Sequence, residues 1–285
     1  MTQRVHFISG LPRSGSTLLG AILRQNPRFY ASMTGPVGGL FRANLQAMSA
    51  GSELALLVTD EQRRALLKGL FTSFYGLMTD KQVVFDTNSQ WTAHMSALRA
   101  LFPEARVIAT VRNVAWVMDS LERLFRNDPF ENTRLFGPGG GNTVYGRVNA
   151  LAQPDKLVGS AYMALKEAFY SEEADRLLLV DYDLLTRAPD RVLPLIYDFI
   201  EEPWFDHDFD NVEFDAPEFD AALGVRGLHT VRPKVERKPR RTILPPDLFE
   251  KYANMDFWRD RKASRANVIT PEKSPAAADP APAEA

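Results

Sequence analysis

An α/β fold of three layers, a parallel central sheet flanked by helices, is the architecture this sequence predicts, on three observations. Short apolar runs alternate with stretches of helical period from Val5 to Phe199, the pattern of strands joined by covering helices. The runs at residues 5–8, 83–85, 106–111 and 177–180 are almost wholly apolar, as strands covered on both faces must be. Each run is followed closely by residues able to do chemistry: Gly10 to Thr17, Asp86, Arg112 and Tyr182. In a parallel sheet those carboxyl ends share one edge, where ligands bind.

The elements follow in order. Val5-His6-Phe7-Ile8 is the first strand, closed by Ser9-Gly10-Leu11-Pro12, and a helix runs on through Leu18, Leu19, Ile22 and Leu23. Thr59 opens the next clear helix, because its side chain can cap while Gln62 reaches back in a capping box. The apolar stripe there is Leu66, Leu67, Leu70, Phe71, Phe74, Tyr75 and Met78, which keeps helical period. Val83-Val84-Phe85 is a strand ending at Asp86. A helix from Trp91 to Phe102 stops at Pro103, since proline cannot continue the ladder. The strand at 106–111 delivers Arg112, and helical spacing resumes at Val114, Val117, Leu121, Leu124 and Phe125. A helix over 157–174 leads into the strand at 177–180. Pro189 suits the first turn of a helix that carries Val192, Leu195, Ile196 and Phe199.

Composition narrows the chemistry. Hydrophobic residues fill 45% of the 285 positions and charged residues 25%, enough for a real core, which excludes disorder of the whole chain. Lys and Arg number 34 against 36 Asp and Glu, so no global field recruits nucleic acid or an anionic membrane. The chain has no cysteine, which excludes disulfide scaffolds, thiol nucleophiles and thiolate zinc sites. His6, His94, His207 and His229 lie far apart, and the run Asp206-His207-Asp208-Phe209-Asp210 lacks the spacing of a calcium loop. No metal site is expected. With no apolar stretch of 18 residues and no leader-like N-terminus, the expectation is a soluble, cytoplasmic protein. A single domain is expected over residues 1–265. The run Gly137-Pro138-Gly139-Gly140-Gly141-Asn142 reads as a loop, and residues 270–285, rich in Ala and Pro, as a disordered tail.

Gly10-Leu11-Pro12-Arg13-Ser14-Gly15-Ser16-Thr17 stands between a strand and a helix. Its glycines have the spacing of a phosphate loop, whose backbone N–H groups and helix N-terminus cradle phosphate oxygens. A nucleoside triphosphatase of that type needs lysine directly before Thr17. Here Ser16 stands there, and Arg13 supplies the cation. Without the lysine the cradle for β- and γ-phosphates and magnesium is incomplete, which points to a different phosphorylated donor. A second anion group is Arg112 with Ser120, in the second turn of the following helix. A guanidinium fork and a neutral hydroxyl can meet on one phosphate. By itself the same spacing also allows Arg112 to pair with Asp119 and Ser120 to be a small residue at a packed face.

Pro12-Arg13-Ser14-Gly15-Ser16-Thr17, taken with Arg112 and Ser120, resembles the motif pair of sulfotransferases that use 3′-phosphoadenosine 5′-phosphosulfate (PAPS). Arg13 is similar to the arginine of the tyrosylprotein sulfotransferases, where cytosolic sulfotransferases usually carry lysine. The resemblance implies a P-loop-like fold, PAPS as donor, 3′-phosphoadenosine 5′-phosphate (PAP) as product and no required metal. It implies that Arg13, Ser14, Gly15, Ser16 and Thr17 hold the 5′-phosphosulfate, and that Arg112 and Ser120 hold the 3′-phosphate. Tyr182, in Val180-Asp181-Tyr182-Asp183-Leu184-Leu185, is similar to the family's later Tyr-(Glu/Asp)-x-Leu segment and is placed with the donor on that ground. The likeness covers residues 4–205.

Sulfuryl transfer to a hydroxyl spreads negative charge that backbone donors and one guanidinium can stabilise without a metal, and Arg13 is the expected guanidinium. The base is less direct. Tyrosylprotein sulfotransferases place a glutamate where this chain has Ala31-Ser32-Met33-Thr34-Gly35, and no histidine lies where the cytosolic enzymes have theirs. Asp86 and His229 are the catalytic residues expected instead, although Asp86 could equally cap the next helix or orient Arg13. Six basic residues between Arg232 and Arg241 form either a solvated face or a segment folded over the nucleotide, with Arg226, Arg232 or Lys234 on its phosphates. The expected activity is sulfuryl transfer from PAPS to the hydroxyl of a small molecule or glycan. The alternatives are a nucleotide kinase or triphosphatase with Asp86 holding magnesium, and a non-catalytic nucleotide-binding module. Neither nucleic acid nor a membrane is an expected partner, and a homo-oligomer is left open.

Overall fold

The computed structural model describes residues 3–127, 142–224, 226–260, 262 and 264–271. Its strands are β1 (Arg4–Gly10), β2 (Phe29–Thr34), β3 (Val83–Thr87), β4 (Val107–Val111), β5 (Leu177–Asp181) and β6 (Asn267–Ile269). They form one sheet in the order β2-β3-β1-β4-β5-β6, every pair parallel. The helices are α1 (Ser16–Leu23), α2 (Val37–Ala47), α3 (Leu54–Leu57), α4 (Asp60–Met78), α5 (Met95–Leu101) and α6 (Val114–Asn127). The rest are α7 (Val144–Leu151), α8 (Leu157–Tyr170), α9 (Tyr182–Arg187), α10 (Pro189–Ile200), α11 (Pro217–Ala222) and α12 (Pro246–Ala253).

Successive side chains on a strand point to opposite faces, and the core divides accordingly. Phe7, Val84, Ala109 and Leu179 join one cluster with Phe71 of α4, Val117 and Leu121 of α6 and Leu165 of α8. Their neighbours Ile8, Phe85, Ile108 and Leu178 join the other, with Leu19 and Ile22 of α1 and Val192 and Ile196 of α10. The helix after β1 and the helix after β4 therefore cover opposite faces. That makes the gap between these adjacent strands the switch point of the sheet, where a crevice opens beyond their carboxyl ends.

Local signals hold where local physics dominates. Gln62 N–H bonds Thr59 Oγ1 at 3.2 Å and Thr59 N–H bonds Gln62 Oε1 at 2.9 Å, completing the capping box of α4. Of its expected stripe, Leu67, Phe71 and Tyr75 are buried, whereas Leu66 and Met78 remain exposed; one line of the helix suffices to meet the sheet. The segment from Trp91 is a 3-10 turn to His94 before α5 begins, and α8 ends at Tyr170 rather than 174.

Two strands lie outside the sequence expectation. The stretch 31–35, which has no carboxylate, belongs largely to edge strand β2, with a register shift between Ala31 and Thr34. Strand β6 pairs with β5, so the sheet continues past residue 265. The expected tail from residue 272 onward and loop residues 137–141 lie outside the described residues. Among the described residues no helix is long and apolar enough to cross a membrane.

Candidate functional site

The loop after β1 is built against β4. Gly10 has φ 113°, and a Cβ there would stand 2.1 Å from the carbonyl oxygen of Thr110, so only glycine fits. Leu11 N–H bonds that oxygen at 3.0 Å. Ser14 is fully buried, its hydroxyl 2.8 Å from both Thr110 O and Thr110 Oγ1 and also on Leu11 O. Its side chain thus braces the loop. Arg13 has φ 59°, a left-handed backbone that a non-glycine residue keeps only where surroundings enforce it. Gly15, with φ 100°, precedes α1, and no side chain caps that helix. The first N–H groups, over Ser16 and Thr17, have no intrahelical acceptor and suit an anion. A Cβ on Gly15 would lie 2.7 Å from the Tyr182 ring.

The second motif arrives at the same place. Arg13 Nε donates to Ser120 Oγ at 3.1 Å, joining residues from the β1 and β4 carboxyl ends. Arg112 stacks over the Tyr182 ring with its guanidinium carbon 4.4 Å from the centroid, a cation–π contact. Its Nε is buried without a hydrogen-bond partner, a donor that an anion would satisfy. Tyr182 is set by Asp181, whose carboxylate caps α9 through Leu184 N–H at 3.1 Å.

Asp119 settles the pairing left open by the sequence. It is fully buried and binds Arg123 Nε at 3.0 Å and the Arg240 guanidinium at 2.8 Å. Its other oxygen accepts from Thr242 Oγ1 at 3.0 Å and Ile243 N–H at 2.8 Å. Arg112 is therefore free of it. The clamp brings Arg240, over the Trp116 ring at 5.5 Å, into the field of the cluster. Burial lowers Arg13 to about 10; Arg112 and Arg240 push the same way, while Tyr182 and Asp220 oppose them. Arg112 and Arg240, both close enough to Arg13 to disfavour its charge, make with it a cationic cluster suited to an anion.

The two expected bases end in different settings. Asp86 is fully buried; Tyr75 OH donates to one oxygen at 2.6 Å and Trp91 Nε1 to the other at 2.8 Å. Desolvation raises its pKa. It ties two core aromatics together, neither capping a helix nor touching Arg13, and the structure does not bring it into the cluster. His229 lies beside the loop, because the carbonyl of its neighbour Leu228 accepts from the Arg13 guanidinium. Its Nδ1 is 2.6 Å from Asp220 Oδ1. Arg226 and Arg232 are exposed, and Lys234 pairs with Asp210 at 2.8 Å. The basic residue that reaches the site is Arg240, which sequence reasoning missed along with Asp220. A basic run without helical spacing carries no sign of which member turns inward.

A family model described as Sulfotransferase family matches residues 6–206, which include the loop from Gly10 to Thr17, Arg112, Ser120 and Tyr182. No curated protein matches. Among solved structures, mouse sulfotransferase SULT7A1 complexed with PAP is similar at 12% identity and TM-score 0.52, covering 89% of this chain and 82% of its own. A sulfotransferase from Alicyclobacillus acidocaldarius is similar at 13% identity and TM-score 0.50, over 88% and 90%. The sulfotransferase domain of the Synechococcus PCC 7002 olefin synthase has 20% identity and TM-score 0.49, over 88% and 95%. At such identities the mouse and Alicyclobacillus likenesses speak for the fold alone. The family match spans most of the parallel sheet and all but one of the guanidiniums gathered at its switch point, and the chain belongs to the sulfotransferase family, whose reaction is sulfuryl transfer.

Proposed function

We propose that the donor is PAPS and that the acceptor is a hydroxyl on a small molecule or glycan. The observation that carries the reading is the Arg13–Ser120 hydrogen bond, which sets the two anion motifs side by side with Arg112 unbonded at Nε. A nucleotide carrying phosphate at both ends is the ligand that uses both.

PAPS supplies an activated sulfuryl group on its 5′-phosphate. The backbone donors around Gly15, Ser16 and Thr17, with the α1 N-terminus, would hold the oxygens at that end. Ser14 keeps the loop in shape through Thr110. Arg112 and Ser120 would hold the 3′-phosphate, Tyr182 fixing the guanidinium plane. Arg13, between the two groups, would stabilise the charge that develops on the bridging oxygen. Arg240 adds positive charge over the same space. Three guanidiniums supply what a magnesium ion supplies in triphosphatases, so the proposed transfer requires no divalent ion.

The test is transfer of label from [35S]PAPS to a panel of phenols, aliphatic alcohols and sugars, with and without EDTA. Labelled product, unaffected by EDTA, is the expected result. Magnesium-dependent ATP hydrolysis with no transfer would place the chain among the triphosphatases instead.

A further inference from the structure

We propose that Asp220 and His229 are the proton-accepting pair of the transfer: His229 is the base, and Asp220 is the positioning residue that fixes its tautomer. The inference rests on the sulfuryl-transfer reading above. Asp220, on α11, is fully buried, which an acidic residue tolerates only when paired. Both its oxygens go to one residue. Oδ1 lies 2.6 Å from His229 Nδ1, and Oδ2 accepts the His229 backbone N–H at 2.9 Å. A carboxylate only accepts, so Nδ1 carries the hydrogen, and Nε2 is the ring nitrogen left to take a proton. Nε2 has no hydrogen-bond partner among the described residues, and the side chain keeps 14% exposure. Phe219 packs edge-on against the imidazole at 5.5 Å.

The pair is delivered to the phosphate loop by an anchored excursion. Val231 N–H bonds Phe214 O at 2.8 Å, Val212 N–H bonds Pro233 O at 2.7 Å, and Val235 N–H bonds Phe209 O at 2.8 Å. Thr230 Oγ1 donates to Asp215 at 2.9 Å. Val212 and Val235 sink into the core beneath. Leu228, adjacent to His229, is fastened to Arg13. The residue before His229 is thus bonded to the guanidinium assigned to the transferring group, whereas Asp86 is sealed behind Tyr75 and Trp91.

The acceptor oxygen forms its bond to sulfur while its proton passes to His229 Nε2. The bond from sulfur to the bridging phosphate oxygen breaks, and that electron pair stays on PAP. Asp220 stabilises the imidazolium, which then gives its proton to solvent.

Two measurements test this. Long-range 1H–15N correlation on histidine-labelled protein, assigned with His229→Gln, is expected to show the Nδ1–H tautomer, shifting toward Nε2–H in Asp220→Asn. A wild-type Nε2–H tautomer overturns the proposal, whatever the activity. With PAPS as donor at pH 8, His229→Gln and Asp220→Asn are expected to lower kcat on phenol about 100-fold or more. On 4-nitrophenol, already ionised, the loss should be at most about tenfold, since no proton remains to be taken. PAP affinity should stay within about threefold, and Asp220→Glu should recover part of the rate. Equal losses on both phenols, or PAP binding lost along with turnover, overturn it. A wild-type chain that fails to bind PAP sinks the sulfuryl-transfer reading instead, while the tautomer still decides the pair.

Discussion

Arg112 and Arg13 divide the work of the site by geometry. Arg112 lies over Tyr182, 4.4 Å from the ring centroid, with Nε buried and unbonded; the proposed reading gives it the binding role. A charge-assisted hydrogen bond contributes roughly 1.5–3 kcal/mol, so Arg112→Ala is expected to weaken PAP binding about 10- to 100-fold by calorimetry. Arg112→Lys should restore little, because an ammonium neither stacks nor forks. Arg13 is held by Ser120 and Leu228 beside the helix N-terminus, where the proposed reading has charge develop during transfer. Arg13→Ala is therefore expected to lower kcat by about 100-fold or more while PAP affinity changes less. An unchanged kcat would contradict that division. Gly10 and Gly15 were legible in the sequence as glycines of the turn between β1 and α1, and both have positive φ. That Ser14 braces the loop through Thr110 was not, since it depends on which strand lies alongside.

At the scale of elements, α6 carries the hinge of the site. Asp119, fully buried, holds Arg123 on its own helix and Arg240, Thr242 and Ile243 of the later segment. Asp119→Ala leaves these partners without an acceptor. Both arginines are about a third exposed, so solvent recovers part of the loss, and destabilisation of about 1–3 kcal/mol is expected in urea unfolding. PAP affinity should fall as well, because Arg240 is released. A variant with wild-type stability and affinity would show that the clamp does not act. The pairing with the later segment was not visible in sequence. The spacing from Arg112 to Ser120 could be read, but Asp119 binds residues more than a hundred positions away. The same reason hid β2 and β6. Phe29–Thr34 and Asn267–Ile269 are short, mixed and at the sheet edges, so neighbours rather than apolar period make them strands. The four central strands, buried on both faces, were legible because burial itself writes the pattern.

For the whole molecule, the sheet that aims the site also sets its tolerance to acid. His6 of β1 is buried and its Nδ1 accepts from Arg106 N–H at 3.1 Å. Burial, with Arg4 and Arg106 nearby, lowers its pKa from 6.5 to about 3. Between those values the unfolded chain takes up a proton that the folded chain refuses, so stability falls as pH drops from 6.5 toward 3. The slope is about 1.4 kcal/mol per pH unit. From pH 7 to 5 the wild-type chain should lose about 2 kcal/mol more than His6→Asn in urea unfolding, and equal losses would contradict it. The same parallel order puts the carboxyl ends of β1, β4 and β5 at one edge, which brings Arg13, Ser120, Arg112 and Tyr182 within one crevice. Calorimetry of PAP against adenosine 5′-phosphate, on wild-type protein and Arg112→Ala, tests that convergence most directly. Tighter binding of PAP by about 10- to 100-fold, a preference abolished by Arg112→Ala, is the predicted result. Equal affinity of the wild-type protein for the two nucleotides would contradict it.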